Sequence, residues 1–231
     1  MAYSNSELLH TMSANPWFAA LSLPERKAML SAADRHWLGA REMLYRKGDT
    51  TGALVGVVSG SLKISTLGED GREAILSFME AGNWFGESTL IDRLPRPHDV
   101  TALCSSEVLL INPVAFERLL QRAAFARAIA ALLCSRVRVL YTLVEDAMLR
   151  STSTRIARRL LALSRGDATE ATDARHSVAV SQEALAMMLG ITRQTLSKEL
   201  KVLARNGVVA PGYARIDIVW PAELERLAAL G

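Results

Sequence analysis

Cysteine is scarce in this sequence. Cys104 and Cys134 are the only two in 231 residues, and neither belongs to a CxxC pair. That excludes a disulfide framework and a cysteine-rich metal site, and two thiolates fall short of the four or so that hold an iron–sulfur cluster. Histidine is nearly as sparse. His10, His36, His98 and His176 are scattered, whereas the metal of a cupin-type barrel enzyme needs clustered His and carboxylate ligands, so the expectation is no metal site and no catalysis. No run of eighteen or more uncharged apolar residues occurs, and Met1 to His10 is polar, with no basic region leading into a hydrophobic one. The chain is expected to have no membrane partner and to work in the cytoplasm.

A surplus of one charge sign is also missing overall, since the formal net charge is only +3. Cut near Met148, however, residues 1–148 carry 15 Lys and Arg against 16 Asp and Glu, and residues 149–231 carry 12 against 8. The C-terminal part is therefore basic, which suits a polyanion, because Lys and Arg gain affinity by releasing counterions condensed on nucleic acid. With half its residues hydrophobic, the chain can bury one large core or two smaller ones, and two are expected.

From Glu42 to Ile111 short apolar or alternating runs recur: Met43–Tyr45, Leu54–Val58, Leu62–Ile64, Ala74–Phe78, Val100–Leu103 and Val108–Ile111. Gly48, Gly60, Gly71 and Gly82 stand between runs, where tight turns need positive φ. This predicts antiparallel strands closing into a small barrel or roll, a shape that in some proteins binds a ligand and in others does not. Beyond Pro113, the stretch from Phe125 to Ala147 has no Gly or Pro and predicts one long helix. On it Ala130, Leu133, Val137, Leu140, Val144 and Ala147 alternate by three and four, an apolar seam that fits either the chain's own β-roll or a second copy across a symmetry axis. Arg136 and Arg138 flank it as charges flank a coiled-coil core, which favours the dimer. A hinge is expected at Arg150–Thr154, a helix from Arg155 to about Ser164, and a polar loop over Gly166–His176.

The most specific stretch is Ser181 to Arg205. Ser181 starts a helix whose apolar face, Ala184, Leu185, Met188 and Leu189, ends at Gly190. Thr192 then caps a second helix with Leu196, Leu200 and Leu203 turned inward and Arg193, Gln194, Thr195, Ser197 and Lys198 turned outward. A short helix, a glycine turn and a second helix with a basic polar face form the unit whose second helix enters the major groove of double-stranded DNA. Arg and Lys can donate to guanine O6 and N7, and Gln can bond adenine in two places. Val208–Val209 and Arg215–Val219, joined through Pro211–Gly212, read as a wing, and Pro221 to Leu230 as a last short helix.

At this point the sequence resembles the Crp–Fnr superfamily of bacterial transcription regulators over roughly residues 15 to 220. The motif ITRQTLSKELKVLARNGVV resembles that family's recognition helix and wing. LVGVVSGSLKI ending at Ile64, GREAILSF from Gly71 and Gly86–Glu87 resemble its β-roll. The resemblance implies an α+β fold: an N-terminal antiparallel β-roll like a cyclic-nucleotide-binding domain (residues 1–124), a dimerisation helix (125–148) and a C-terminal winged helix-turn-helix (149–231). It implies a homodimer on a near-palindromic DNA site, controlled by a small effector in the roll, with RNA polymerase as a further partner. Arg193, Gln194 and Lys198 correspond to base-contacting positions, although the family commonly has Glu and Arg where this chain has Gln194 and Lys198.

For the effector the resemblance implies Gly86, Glu87 and Arg96, with the glutamate on a ribose hydroxyl and the arginine on a cyclic phosphate. Pro97 and His98 stand where such members carry Ser or Thr and then Ala, and Pro97 removes a hydroxyl and a backbone donor. Leu140 and Tyr141 replace a Thr-Ser pair on the long helix; Tyr141 can stack on a base and Ser88 can supply a hydroxyl. Cyclic AMP is therefore not expected to be a tight ligand, and another small effector, or none, stays open. His36 and His98 are formal candidates for haem, a weaker reading. Glu87 and Arg96 can also be read as an ion pair bracing a loop, and the chain as a nucleotide-binding module acting on another protein; the second reading leaves Arg193 to Lys198 unexplained.

Overall fold

The computed structural model describes residues 5–167 and 174–230, which group into two compact units. Residues 5–66 and 77–137 belong to the first; 67–76, 138–167 and 174–230 belong to the second.

The first unit opens with three short helices, α1 (Asn5–Met12), α2 (Pro16–Ala19) and α3 (Leu23–Ser31). Asn15 and Ser22 start α2 and α3 by accepting the N–H of Trp17 (2.9 Å) and Glu25 (3.4 Å), each with a proline in the first helical positions. Then come β1 (Asp34–Leu38), β2 (Met43–Tyr45), β3 (Leu54–Ser59), β4 (Ser61–Leu67), β5 (Glu73–Glu80), β6 (Trp84–Phe85), α4 (Glu87–Asp92), β7 (Asp99–Ala102) and β8 (Ser106–Ile111). They form two antiparallel four-stranded sheets, ordered β1-β8-β3-β6 and β2-β7-β4-β5.

The alternation along β3 shows how the sheets bury themselves. Val55 and Val57 face Leu62, Ile64, Phe85 and Val100 between the sheets, while Leu54 and Val58 face the helices with Met12, Phe18, Met29 and Trp84. Phe18 stacks on Trp84 with ring centroids 5.6 Å apart. From β8 the chain enters α5 (Pro113–Leu120), capped by Asn112, and then α6 (Ala123–Leu149). A two-pronged ion pair between Arg122 and Glu25 (2.6 and 2.8 Å) and a bond from Trp17 Nε1 to Ala128 O (2.7 Å) fasten the start of α6 to the N-terminal helices.

The second unit holds α7 (Thr152–Ser164), β9 (Ser177–Val178), α8 (Gln182–Leu189), α9 (Arg193–Arg205), β10 (Val209–Gly212), β11 (Arg215–Ile218) and α10 (Pro221–Ala229). Its small sheet is ordered β10-β11-β9. Ile156, Ala157, Leu160 and Leu163 of α7 are buried, as are Leu224 and Ala228 of α10, and α7 and α10 pack together. Arg158 pairs with Asp146 at 2.8 Å, tying α7 to the last turns of α6.

The six expected strands are present, and Gly48, Gly60, Gly71 and Gly82 all have positive φ. Several expectations need correction. The hinge is shorter than Arg150–Thr154, because Ser151 caps α7 through the Thr154 N–H (3.2 Å) and the helix begins at Thr152. The expected loop Gly166–His176 lies partly outside the described residues. Arg136, expected beside the seam, turns its guanidinium into the β-roll. The seam divides: Leu133 packs on the chain's own core with Phe125 and Ile129, while Val137 is 47% exposed, Leu140 60% and Val144 55%. Ala130 and Ala147 are exposed as well.

Candidate nucleic-acid interface and effector site

The recognition unit is built by two caps and one glycine. Ser181 Oγ accepts the Ala184 N–H at 3.0 Å and starts α8, whose Leu185, Ala186 and Leu189 are buried. Gly190 ends it in the left-handed region (φ 64°), its N–H bonded to Ala186 O. Thr192 Oγ1 then accepts the Thr195 N–H at 3.1 Å and starts α9. Leu196, Leu200 and Leu203 of α9 are 0–2% exposed and join the core. The four-and-three spacing that buries them puts Arg193, Gln194, Ser197 and Lys198 along one open groove, together with Lys201, Val202 and Arg205. Thr195 stands apart from these: its hydroxyl lies 2.9 Å from Thr192 Oγ1 and is part of the cap.

Ion pairing within the unit sharpens this face. Arg158, Arg159, Arg165, Arg215 and Arg226 all pair with carboxylates, and Arg155 donates to Leu189 O at 2.5 Å. Arg193, Lys198, Lys201 and Arg205 have no ion-pair partner among the described residues. The net positive charge of the C-terminal part is thus concentrated on the outward face of α9. Lys201 and Arg205 were not singled out in the sequence, although their spacing from Lys198 by three and seven continues the same face.

In the β-roll, Gly86, Glu87 and Arg96 come together. Gly86 adopts φ 95° and heads α4. Arg96, only 3% exposed, gives its donors to the backbone: Nε to Thr51 O (3.3 Å), Nη1 to Gly86 O (3.4 Å) and Nη2 to Ala53 O (3.0 Å). Its guanidinium lies 4.0 Å from the Tyr45 ring centroid. Burial holds the Arg96 pKa below its ordinary value and pushes the Tyr45 hydroxyl up to about 12. The expected loop-bracing pair between Glu87 and Arg96 is not formed. Glu87 is 1% exposed and its Oε1 accepts from Arg136 Nη1, while Arg136 Nη2 donates to Trp84 O at 2.6 Å.

Ser88 is half-buried in the first turn of α4, and Tyr141, 71% exposed, falls in the second unit. His36 is exposed on β1. His98, half-buried before β7, has its pKa lowered first by burial and then by Lys47 and Arg136. No group of three His, Cys, Asp or Glu side chains is placed to hold a metal among the described residues.

A model of the cyclic nucleotide-binding domain family matches residues 35–123, and one of the Crp-like helix-turn-helix domain matches residues 154–227; together they span more than half of the chain. The chain belongs to the Crp–Fnr superfamily. Over 218 residues it is 28% identical to the cyclic AMP receptor protein of Thermus thermophilus, covering 94% of this chain and 98% of that one. It is 30% identical to the HTH-type transcriptional regulator Cmr of Mycobacterium tuberculosis over 171 residues, 74% of this chain and 66% of the relative. The structure of FixK2 from Bradyrhizobium japonicum shares its fold, with a TM-score of 0.74 at 22% identity over 86% of this chain and 98% of FixK2.

As a Crp–Fnr protein the chain is a DNA-binding transcription regulator with a cyclic-nucleotide-binding type of domain, and regulators of this family bind DNA and typically dimerise. No helix among the described residues is long and apolar enough to cross a membrane. Three of the five Arg96 donors are bonded to carbonyls and the following Pro97 has no N–H to offer, which leaves two guanidinium donors on Arg96 for an anion.

Proposed function

We propose that the chain works in the cytoplasm as a homodimeric, sequence-specific regulator that acts by binding and not by catalysis. The division is residues 1–124 for regulation, 125–148 for dimerisation and 149–231 for DNA. The observation that carries this reading is the row of uncompensated cations on α9, Arg193, Lys198, Lys201 and Arg205, beside Gln194 and Ser197. Arg193, Gln194 and Lys198 read base edges, Ser197 assists them, and Thr195 contributes through the helix start. The exposed apolar residues Val137, Leu140 and Val144, extended by Ala130 and Ala147, supply the dimer seam. Two recognition helices related by a two-fold axis meet successive major grooves about 34 Å apart, or a multiple of that, which calls for a near-palindromic site. RNA polymerase is the further partner through which such a dimer changes transcription.

The β-roll is the regulatory part, and a small effector acting on it does so at Gly86, Glu87, Ser88 and Arg96. Cyclic AMP held tightly in the family's way is not that effector, because Arg96 is already committed to the backbone. Selection of bound sequences from a pool of random duplexes tests the reading: a two-fold symmetric motif is expected. Binding that enriches no motif, or that survives loss of all four α9 cations, overturns it.

A further inference from the structure

Asp146, in the last turns of α6, is 8% exposed, and Nε of Arg158 in α7 meets its Oδ2 at 2.8 Å. Its Oδ1 has no hydrogen-bond partner among the described residues, so the buried carboxylate depends on that one guanidinium. Arg158 also gives Nη1 to the Ala228 carbonyl of α10 at 3.4 Å. One side chain thus holds α6, α7 and α10 together, and the junction that reads as a hinge in the sequence is bridged. Three residues earlier, on the same side of α7, Arg155 donates to Leu189 O, at the end of α8 and just before the turn into α9. The helix α7 is therefore fastened at two points, to the part of α6 that carries Leu140 and Val144 and to the pair of helices that presents the α9 face. All of these residues belong to the second compact unit.

We propose that Arg158 is a positioning residue for DNA binding: by pairing with Asp146 it fixes α9 relative to the seam of α6, and so fixes the half-site spacing that a dimer accepts. The inference rests on the homodimeric DNA-regulator reading above. One base pair added or removed between the half-sites moves one of them by about 3.4 Å and turns it by about 35° around the duplex. A dimer with a free joint between α6 and α7 follows that displacement by swinging each recognition helix. One with a clamped joint must strain the duplex or give up contacts in one half-site. Arg158 does not line the α9 groove, so its effect on DNA passes through Asp146 and not through a base or a phosphate.

The test is fluorescence anisotropy of the full chain on a duplex recovered by the selection, on versions with one base pair added to or removed from the centre, and on a duplex with a single half-site. The wild type is expected to lose about tenfold or more in affinity for either changed spacing. Arg158→Met, which keeps the apolar stem and removes the charge, is expected to cut that penalty to about threefold or less, with single half-site affinity within about twofold of the wild type. Asp146→Asn, which leaves no buried charge behind and guards against a misfolded Arg158→Met, has the same effect, and the double variant goes no further than either single one. Arg158→Lys restores most of the discrimination. A wild type indifferent to spacing, variants that keep the full spacing penalty, or variants that lose it only together with half-site affinity overturn the proposal. A selection that enriches no two-fold symmetric motif overturns the homodimeric reading, and the proposal with it, a result distinct from the other three.

Discussion

A Cβ placed on Gly86 would lie 2.8 Å from Nη1 of Arg96 and 2.5 Å from the carbonyl oxygen of Ala53. The same carbonyl accepts from Arg96 Nη2, so Gly86 and Arg96 approach as closely as glycine alone permits. Gly86→Ala therefore meets two penalties, a left-handed backbone at φ 95° and a clash with main chain that has nowhere to move. The backbone part is about 1–3 kcal/mol. Gly48 has φ 92° and open space around its Cβ position, so Gly48→Ala isolates that part. Thermal unfolding of both variants is expected to show the larger drop in midpoint for Gly86→Ala; equal drops would mean that the Arg96 and Ala53 contacts relax freely.

On the DNA reading proposed above, the α9 face divides into base readers and phosphate holders. Arg193, in the first turn, is placed to pair with a guanine, and Arg193→Ala is expected to lose about 1–3 kcal/mol of discrimination at one position of each half-site. Lys201→Ala is expected to weaken all sequences alike and to lower the slope of log affinity against log salt by about one. Repeating the duplex selection and a salt titration on both variants decides the roles. Uniform weakening by Arg193→Ala would make Arg193 a phosphate contact.

Much of this was legible in the sequence, and the exceptions have physical causes. Caps and turns are local, so Ser181, Gly190 and Thr192 could be assigned without any tertiary information. The strands that are continuous apolar or alternating runs, such as β3 and β4 respectively, were equally visible. Edge strand β1 was not, because its residues are mostly exposed and carry no alternation, and β6 is two residues long. The N-terminal helices are short and take their stability from packing Met12, Phe18 and Met29 on the roll. The site was half legible. Motif spacing brought out Gly86, Glu87 and Arg96, but which charges meet is a long-range matter. Arg136 stands 49 positions from Glu87, and on its own helix it has the spacing of a seam-flanking charge; only the fold shows that it turns inward.

The exposed stretch of α6 predicts a dimer that one charge can break. Leu140 is 60% exposed in the single chain and lies between Val137 and Val144 at seam spacing. In a two-fold contact every substitution occurs twice, so Leu140→Asp sets two carboxylates in one apolar interface. Association is expected to weaken by at least about tenfold, which corresponds to only about 1.4 kcal/mol. Sedimentation equilibrium of both proteins measures it. A wild-type chain that sediments as a monomer at micromolar concentration would remove the dimer from the mechanism.

His98 makes stability depend on pH, and the sign follows from its surroundings. Burial lowers its pKa first, the cations Lys47, Arg136 and Arg96 lower it further, and only Asp99 opposes them. The imidazole is therefore held neutral in the folded chain below its ordinary value of 6.5. In the unfolded chain it protonates at that ordinary value, so between the two pKa values the unfolded state binds more protons than the native one. Stability from this residue is whole above about pH 6.5 and falls as pH drops below it, down to the folded pKa, after which His98 adds no further slope. Urea unfolding of the wild type and His98→Gln at about pH 7.5 and about pH 5 is the measurement, with the difference between the two proteins removing the shared contribution of the carboxylates. The wild type is expected to lose more stability than His98→Gln over that interval, and Lys47→Gln, which removes one repelling cation, to lose less than the wild type. Parallel losses in all three proteins would show that His98 titrates alike folded and unfolded, and that the cations around it do not reach the imidazole.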